Sequence, residues 1–213
     1  MRLSEVIEKA RILLEEEDEV REELLKLTRE VGREARRAIF KVHEGDLESA
    51  EERLRVASET VRRILSYKER YPRLYYSGST TSALAEYVEA CLLLAYARGN
   101  ELPGFEDLGV EPHHYLLGLA DFVGELRRLM IRYISSDMFK EAGEVLHVME
   151  EVYKGLLTIS VPDALVPGLR RKVDVLRGVV EAAARDLLYY VKSGELSRAL
   201  RELLAELGER RGS

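Results

Sequence analysis

Four carboxylates stand at one-turn spacing in two otherwise apolar stretches of the chain. Glu86 and Glu89 lie within residues 83–98, and Asp121 and Glu125 within residues 115–134. Residues three or four apart share one face of a helix, so each stretch presents its acids as a pair. A carboxylate on a buried helix is costly unless a cation meets it or it faces a wet cavity. Two such faces packed together place four acids within reach of one another, and these cannot all stay ionised without a cation. All-oxygen ligands select a hard ion, Mg²⁺, Mn²⁺ or Ca²⁺. Such an ion activates water and stabilises charge on a phosphoryl oxygen. Arg128 follows Glu125 by three residues and Asp121 by seven, so it shares their face and suits a phosphate or the acids themselves. The competing reading is that the acids only pair with arginines, in the core or between subunits.

A second constellation is basic. Lys26, Arg29, Arg33, Arg36 and Arg37 run almost opposite an apolar stripe of Leu24, Leu27, Val31, Ala35, Ala38 and Val42. Glu30 and Glu34 interrupt it, so it reads either as a solvated face of ion pairs or as a phosphate-contacting stripe led by Arg29, Arg33 and Arg37. Other signals are weaker. Neither acid pair is followed by the His of a di-iron motif. His113 and His114 follow Pro112 and read as surface or capping residues, although His114 lies seven before Asp121. Cys91 falls on the far side of its helix from Glu89 and reads as inert core. Arg37 and His43 have the Arg-x₅-His spacing of the metal-independent HEPN ribonucleases, which is a short signal. The phosphate-binding glycine loop, the dinucleotide fingerprint and zinc-type Cys/His pairs are absent.

These groups need helices to carry them. The spacing predicts a helix over 4–15, a bend in the acidic run 15–19, and a long helix to about residue 44. Gly45 and Asp46 stop that helix and cap the next, which reaches about residue 70. A polar connection over 75–81 leads into the buried helix that ends at Gly99. The clearest loop covers 101–112. Helices follow over 113–135, over 137–157 with Asp137 as cap, over 169–192 and over 195–207, with a non-helical end at 209–213. The 213 residues are 34% charged and 46% hydrophobic, with no Trp and 5 Pro, which suits an all-α bundle of about seven helices forming a single domain over 1–213. A net charge of -6 argues against a generic basic nucleic-acid binder but not against a local basic surface. One cysteine excludes an internal disulfide, and no signal peptide or membrane span is evident, so a cytoplasmic, membrane-free protein is expected.

The acid-bearing stretches also resemble a known family. Glu86-Tyr87-Val88-Glu89-Ala90 resembles the Glu-Tyr-Val-Glu-Ala motif of the Trax-like (translin-associated factor X) branch of the translin family. Residues 115–129 resemble its Tyr-Leu-Leu-Gly-x-Ala-Asp-x-x-Gly-Glu-Leu-x-Arg pattern. Residues 171–177 and 189–194 are similar to the family's last long helix, and residues 4–26 to the translin amino terminus. The resemblance implies a seven-helix translin fold and a hollow, octameric self-assembly that binds single-stranded RNA, and in the family also single-stranded DNA, inside. It further implies that Glu86, Glu89, Asp121 and Glu125 form a Mg²⁺- or Mn²⁺-dependent endoribonuclease site facing that cavity. Translin itself lacks the first acid pair and acts in binding, so the complete quartet points to the catalytic branch. A non-catalytic nucleic-acid-binding oligomer is the alternative. Ala85 stands where the family often has Gln, and the loop over 100–110 is short. The simple composition points to an archaeal relative.

Overall fold

The first helix, α1, runs unbroken over Leu3–Glu44. The acidic run does not bend it, because opposite charges alternate at helical spacing and no glycine or proline intervenes. Arg11 meets Glu8 and Glu15, each at 2.6 Å, and Arg21 meets Asp18 at 3.3 Å. Glu16, inside the run, accepts from Arg70 Nη2 and from the Tyr71 hydroxyl, each at 2.7 Å. Gly45, at φ 84°, ends the helix in the left-handed region that glycine enters freely. The Asp46 carboxylate accepts from the Ser49 amide at 3.1 Å, the expected cap of α2, Leu47–Leu65.

The computed structural model describes residues 2–211, and among them there are seven helices and no strand. Helix α2 stops five residues earlier than its spacing suggests. A single turn, α3 (Pro72–Tyr75), forms where only a connection was expected, with proline at its start, where a missing N–H costs nothing. Then come α4 (Gly78–Ala97), α5 (Pro112–Ser135), α6 (Phe139–Leu157) and α7 (Leu169–Arg211). Asp137 does not cap α6; it sits at φ 59° and Met138 takes the cap position. Helix α7 continues through the expected break at 192–195, where Lys192 and Glu195 pair at 2.8 Å. It also runs through 209–211, expected to be non-helical; residues 212 and 213 lie outside the described residues.

The chain forms two compact units. The first comprises residues 1–122 and 163–169. In it the predicted stripe of α1 is buried from Leu24 to Val42. Helix α4 is buried on most sides, as its continuous apolar composition requires. Gly118 lets the start of α5 approach α4: a Cβ there would lie 2.5 Å from the Ala85 carbonyl oxygen and 2.6 Å from Val88 Cβ. Backbone cannot yield as a flexible side chain can. Gly118→Ala is therefore expected to destabilise the protein by about 1–3 kcal/mol, read as a lower urea midpoint at unchanged slope. The second unit comprises 123–162 and 170–213. Leu126, Met130, Val145, Met149 and Leu176 are buried there, and Arg127 pairs with Asp186 at 3.0 Å.

Candidate metal and nucleic-acid site

Helices α4 and α5 bring Glu86 and Asp121 into each other's field. Burial holds the Glu86 carboxyl above its ordinary range; Arg36 opposes this, and neighbouring Asp121 pushes the same way as burial. Arg36 Nη1, from α1, donates to Glu86 Oε2 at 2.6 Å. The carboxylate reaches that position because α1 carries Gly32, where a Cβ would stand 2.7 Å from the same oxygen. Glu89 lies one turn along α4 and is half-buried like Glu86 and Asp121. Glu125 lies one turn beyond Asp121 on α5, also half-buried, with Arg128 Nη1 3.7 Å from its Oε2. Within the first unit the donors Glu86, Glu89 and Asp121 are all oxygen and half-buried, and burial and the like charge of Asp121 disfavour ionisation of Glu86. That chemistry fits a hard divalent cation.

The basic stripe opens onto a concave surface. Arg33, Arg36, Arg37, Phe40, Lys41 and Arg53 line a groove of ≈ 550 Å³. Under it lies Glu34, 4% exposed. Arg33 Nε, Arg37 Nη1 and Arg53 Nη1 approach its carboxylate at 3.2, 2.9 and 3.4 Å. One acid against three guanidiniums leaves the groove net positive, and the buried anion pre-orients the arginines. The three keep about half of their side-chain surface in solvent, which is where a phosphate would meet them. Phe40 adds an exposed ring suited to stacking on a base.

Of the expected phosphate-binding residues, the groove gathers Arg33 and Arg37. Arg29 is exposed on α1 but does not line it, and Arg128 belongs to the second unit. Sequence reasoning missed Phe40, Lys41 and Arg53 as groove residues, and the bridging position of Arg36, which both lines the groove and holds Glu86. Arg53 comes from α2, so no spacing along α1 announces it. Glu34 was legible in part: it falls between Val31 and Ala38 on the buried side of the helix.

The remaining candidates separate clearly. Arg37 is exposed and engaged by Glu34, whereas His43 is buried, so the Arg-x₅-His spacing yields no shared exposed face. Burial pushes the Cys91 thiol up to about 12, which leaves it inert. His114 is neither a surface nor a capping residue: it is fully buried, and burial first, then His113, pushes its imidazole down to about 3. Glu111, His113 and His114 form a cluster whose ligand atoms lie within 4.8 Å of one another.

The Translin family profile matches residues 19–184. An uncharacterised protein of Methanocaldococcus jannaschii is 31% identical over 198 residues, which is 92% of this chain and 87% of that protein. Translin-associated protein X of Rattus norvegicus is 23% identical over 181 residues, covering 65% of this chain and 62% of that protein. Among solved structures, AfC3PO in a complex with duplex RNA matches with a TM-score of 0.81 at 38% identity, over 88% of this chain and 97% of that one. Apo-NeC3PO matches with a TM-score of 0.78 at 22% identity, over 86% and 96%, a likeness of fold.

Proposed function

Because this chain belongs to the translin family, we propose that it is an RNA-binding, divalent-metal-dependent endoribonuclease that cuts single-stranded RNA inside a shell built of its own copies. The whole chain, residues 1–213, acts as one translin-like domain in this reading. The observation that carries it is the approach of Glu86 to Asp121, because binding alone gives no reason to crowd acids on two helices.

Glu86, Glu89 and Asp121 hold Mg²⁺ or Mn²⁺, with Glu125, one turn along α5, as the fourth ligand. When bound, the ion supplies an activated water and a counter-charge for the phosphoryl oxygen. Arg33, Arg37, Lys41 and Arg53 hold the RNA backbone in the groove, joined by Arg29 and Arg128 on their own exposed faces. Arg36 leads from the groove to the acids and steers a phosphodiester toward them; in doing so it exchanges Glu86 for phosphate. A second reading, a non-catalytic shell for RNA or single-stranded DNA, draws support from the Arg36–Glu86 pair, which gives one acid a partner without any metal.

Labelled single-stranded and duplex RNA incubated with the protein in Mg²⁺, Mn²⁺ or EDTA tests both. Cleavage of the single strand in metal and none in EDTA is the expected result. Binding without cleavage in every condition would establish the second reading.

Self-assembly is supported by apolar residues that one chain leaves bare. Leu3, Ile7 and Leu14 are exposed on α1, and Leu196, Leu200 and Leu203 follow helical spacing along α7, each more than half exposed. Light scattering is expected to give a discrete species far above one 24.3 kDa chain, with an octamer as the proposed size. A monodisperse monomer at micromolar concentration would remove the enclosed cavity from the reading. Among the described residues no helix is long and apolar enough to cross a membrane; the cytoplasm is the proposed place of action.

A further inference from the structure

The start of α5 holds polar groups that neither the acid quartet nor the groove uses. His114 is 0% exposed, and neither its Nδ1 nor its Nε2 has a hydrogen-bond partner. Glu111 Oε2 and the Tyr75 hydroxyl are buried nearby, close enough to each other to interact but without a well-formed hydrogen bond. A neutral imidazole needs a donor at one nitrogen and an acceptor at the other. Leaving such groups unsatisfied is costly, and here several of them cluster.

The surroundings hold these groups in position. Glu111 Oε1 accepts from Lys68 Nζ at 3.0 Å and from the Tyr76 hydroxyl at 3.1 Å, which leaves Oε2 as the available oxygen. The His113 and His114 rings stand 3.7 Å apart between centroids, and Tyr75 meets His114 edge-on at 6.0 Å. One ligand atom from each of Glu111, His113 and His114 falls within 4.8 Å of the others. Bonds of about 2.0–2.2 Å to a shared ion need ligand atoms no more than about 4.4 Å apart, a closure that small rotations of the half-buried Glu111 and His113 supply.

We propose that Glu111, His113 and His114 bind one divalent transition-metal ion of the zinc class at the start of α5. Two imidazole nitrogens and one carboxylate form a donor set such ions accept, with a coordination position left for water or the Tyr75 hydroxyl. Imidazole ligands select against Mg²⁺, so this site and the all-oxygen acid quartet take different metals. The ion would be structural: it satisfies one of the two His114 nitrogens, which no side chain of the fold satisfies, at the start of the helix whose Gly118 and Asp121 stand one and two turns further on.

The test uses the full chain, stripped with EDTA and titrated with Co²⁺ as a spectroscopic probe. With excess Mg²⁺ present to fill the acid quartet, one equivalent of Co²⁺ per chain is expected, with visible bands of nitrogen ligation that Zn²⁺ displaces. Zn²⁺ should raise the melting temperature. His113→Gln and Glu111→Gln, at half-buried positions, should each weaken nitrogen-ligated Co²⁺ binding at least about 10-fold. Absence of nitrogen-ligated Co²⁺, or equal binding by His113→Gln and the parent chain, would overturn the proposal and assign the cluster to an ordered water.

Discussion

Asp121→Ala is expected to lower cleavage of single-stranded RNA at least about 100-fold, close to 2.7 kcal/mol of transition-state stabilisation, while RNA affinity changes less than about twofold. The two effects separate because they come from different residues. The acids hold the ion that acts on the chemical step, whereas affinity comes from phosphate contacts in the groove. Asp121 is the acid to remove because its charge reaches across to Glu86. Glu89→Ala should behave alike.

Stability in EDTA gives a second readout. Glu86 has a folded-state pKa raised above its ordinary 4.5, so the folded form binds its proton more tightly than the unfolded form does. Stability is then lost as pH rises through that window. Removing Asp121 takes away one cause of the rise. The variant should melt at or above the parent temperature at pH 7 in EDTA, and the difference should vanish below about pH 4.5, where Glu86 is protonated in both states. Single-turnover cleavage, filter binding and thermal melts measure the three quantities. Parent-level cleavage by Asp121→Ala, or full activity of the parent chain in EDTA, would remove the quartet from the chemistry.

The double replacement Arg33→Ala with Arg37→Ala is expected to weaken RNA binding about 10-fold or more and to flatten its salt dependence. Each lost contact to a single strand removes about 0.7 from the slope of log affinity against log salt, so two remove about 1.4. Both guanidiniums also neutralise Glu34, which would keep only Arg53 at 3.4 Å. Some stability is lost for that reason, and a melt must accompany the titration. Glu34→Gln separates the two roles. It removes the buried charge yet keeps the three arginines, so its RNA affinity should stay equal or rise while its melting temperature falls. An unchanged salt slope in the double variant would return the stripe to an ordinary solvated face.

What could be read from the sequence is what lies within a few turns of one helix. The apolar stripe of α1, the Gly45–Asp46 junction and the one-turn spacing of each acid pair follow from the 3.6-residue period and from capping chemistry. The all-α class and the family resemblance rest on the same local patterns. The continuity of α1 and α7 was harder to read. A run of acids or an inner glycine argues for a break by propensity; in α1 this is overridden by ion pairs at helical spacing together with Arg70 and Tyr71, which hold Glu16 from more than 50 positions away, and in α7 Lys192 and Glu195 pair across the inner glycine.

The site was decided mainly in three dimensions. The acid faces were legible, but the cation that meets Glu86 is Arg36, 50 positions earlier, admitted by the bare backbone of Gly32. Arg53 joins the groove from α2, and Glu34 turns from a surface acid into the buried anion that orients three arginines. His114 changes most, from a surface or capping residue to a fully buried ring beside Glu111 and Tyr75. The physical reason is common to all four. Periodicity specifies the face of a helix on which a side chain lies, whereas burial, desolvation and charge pairing depend on which other helix that face meets. That meeting is set by the packing of α1, α2 and α4 and by the close approach that Gly118 permits.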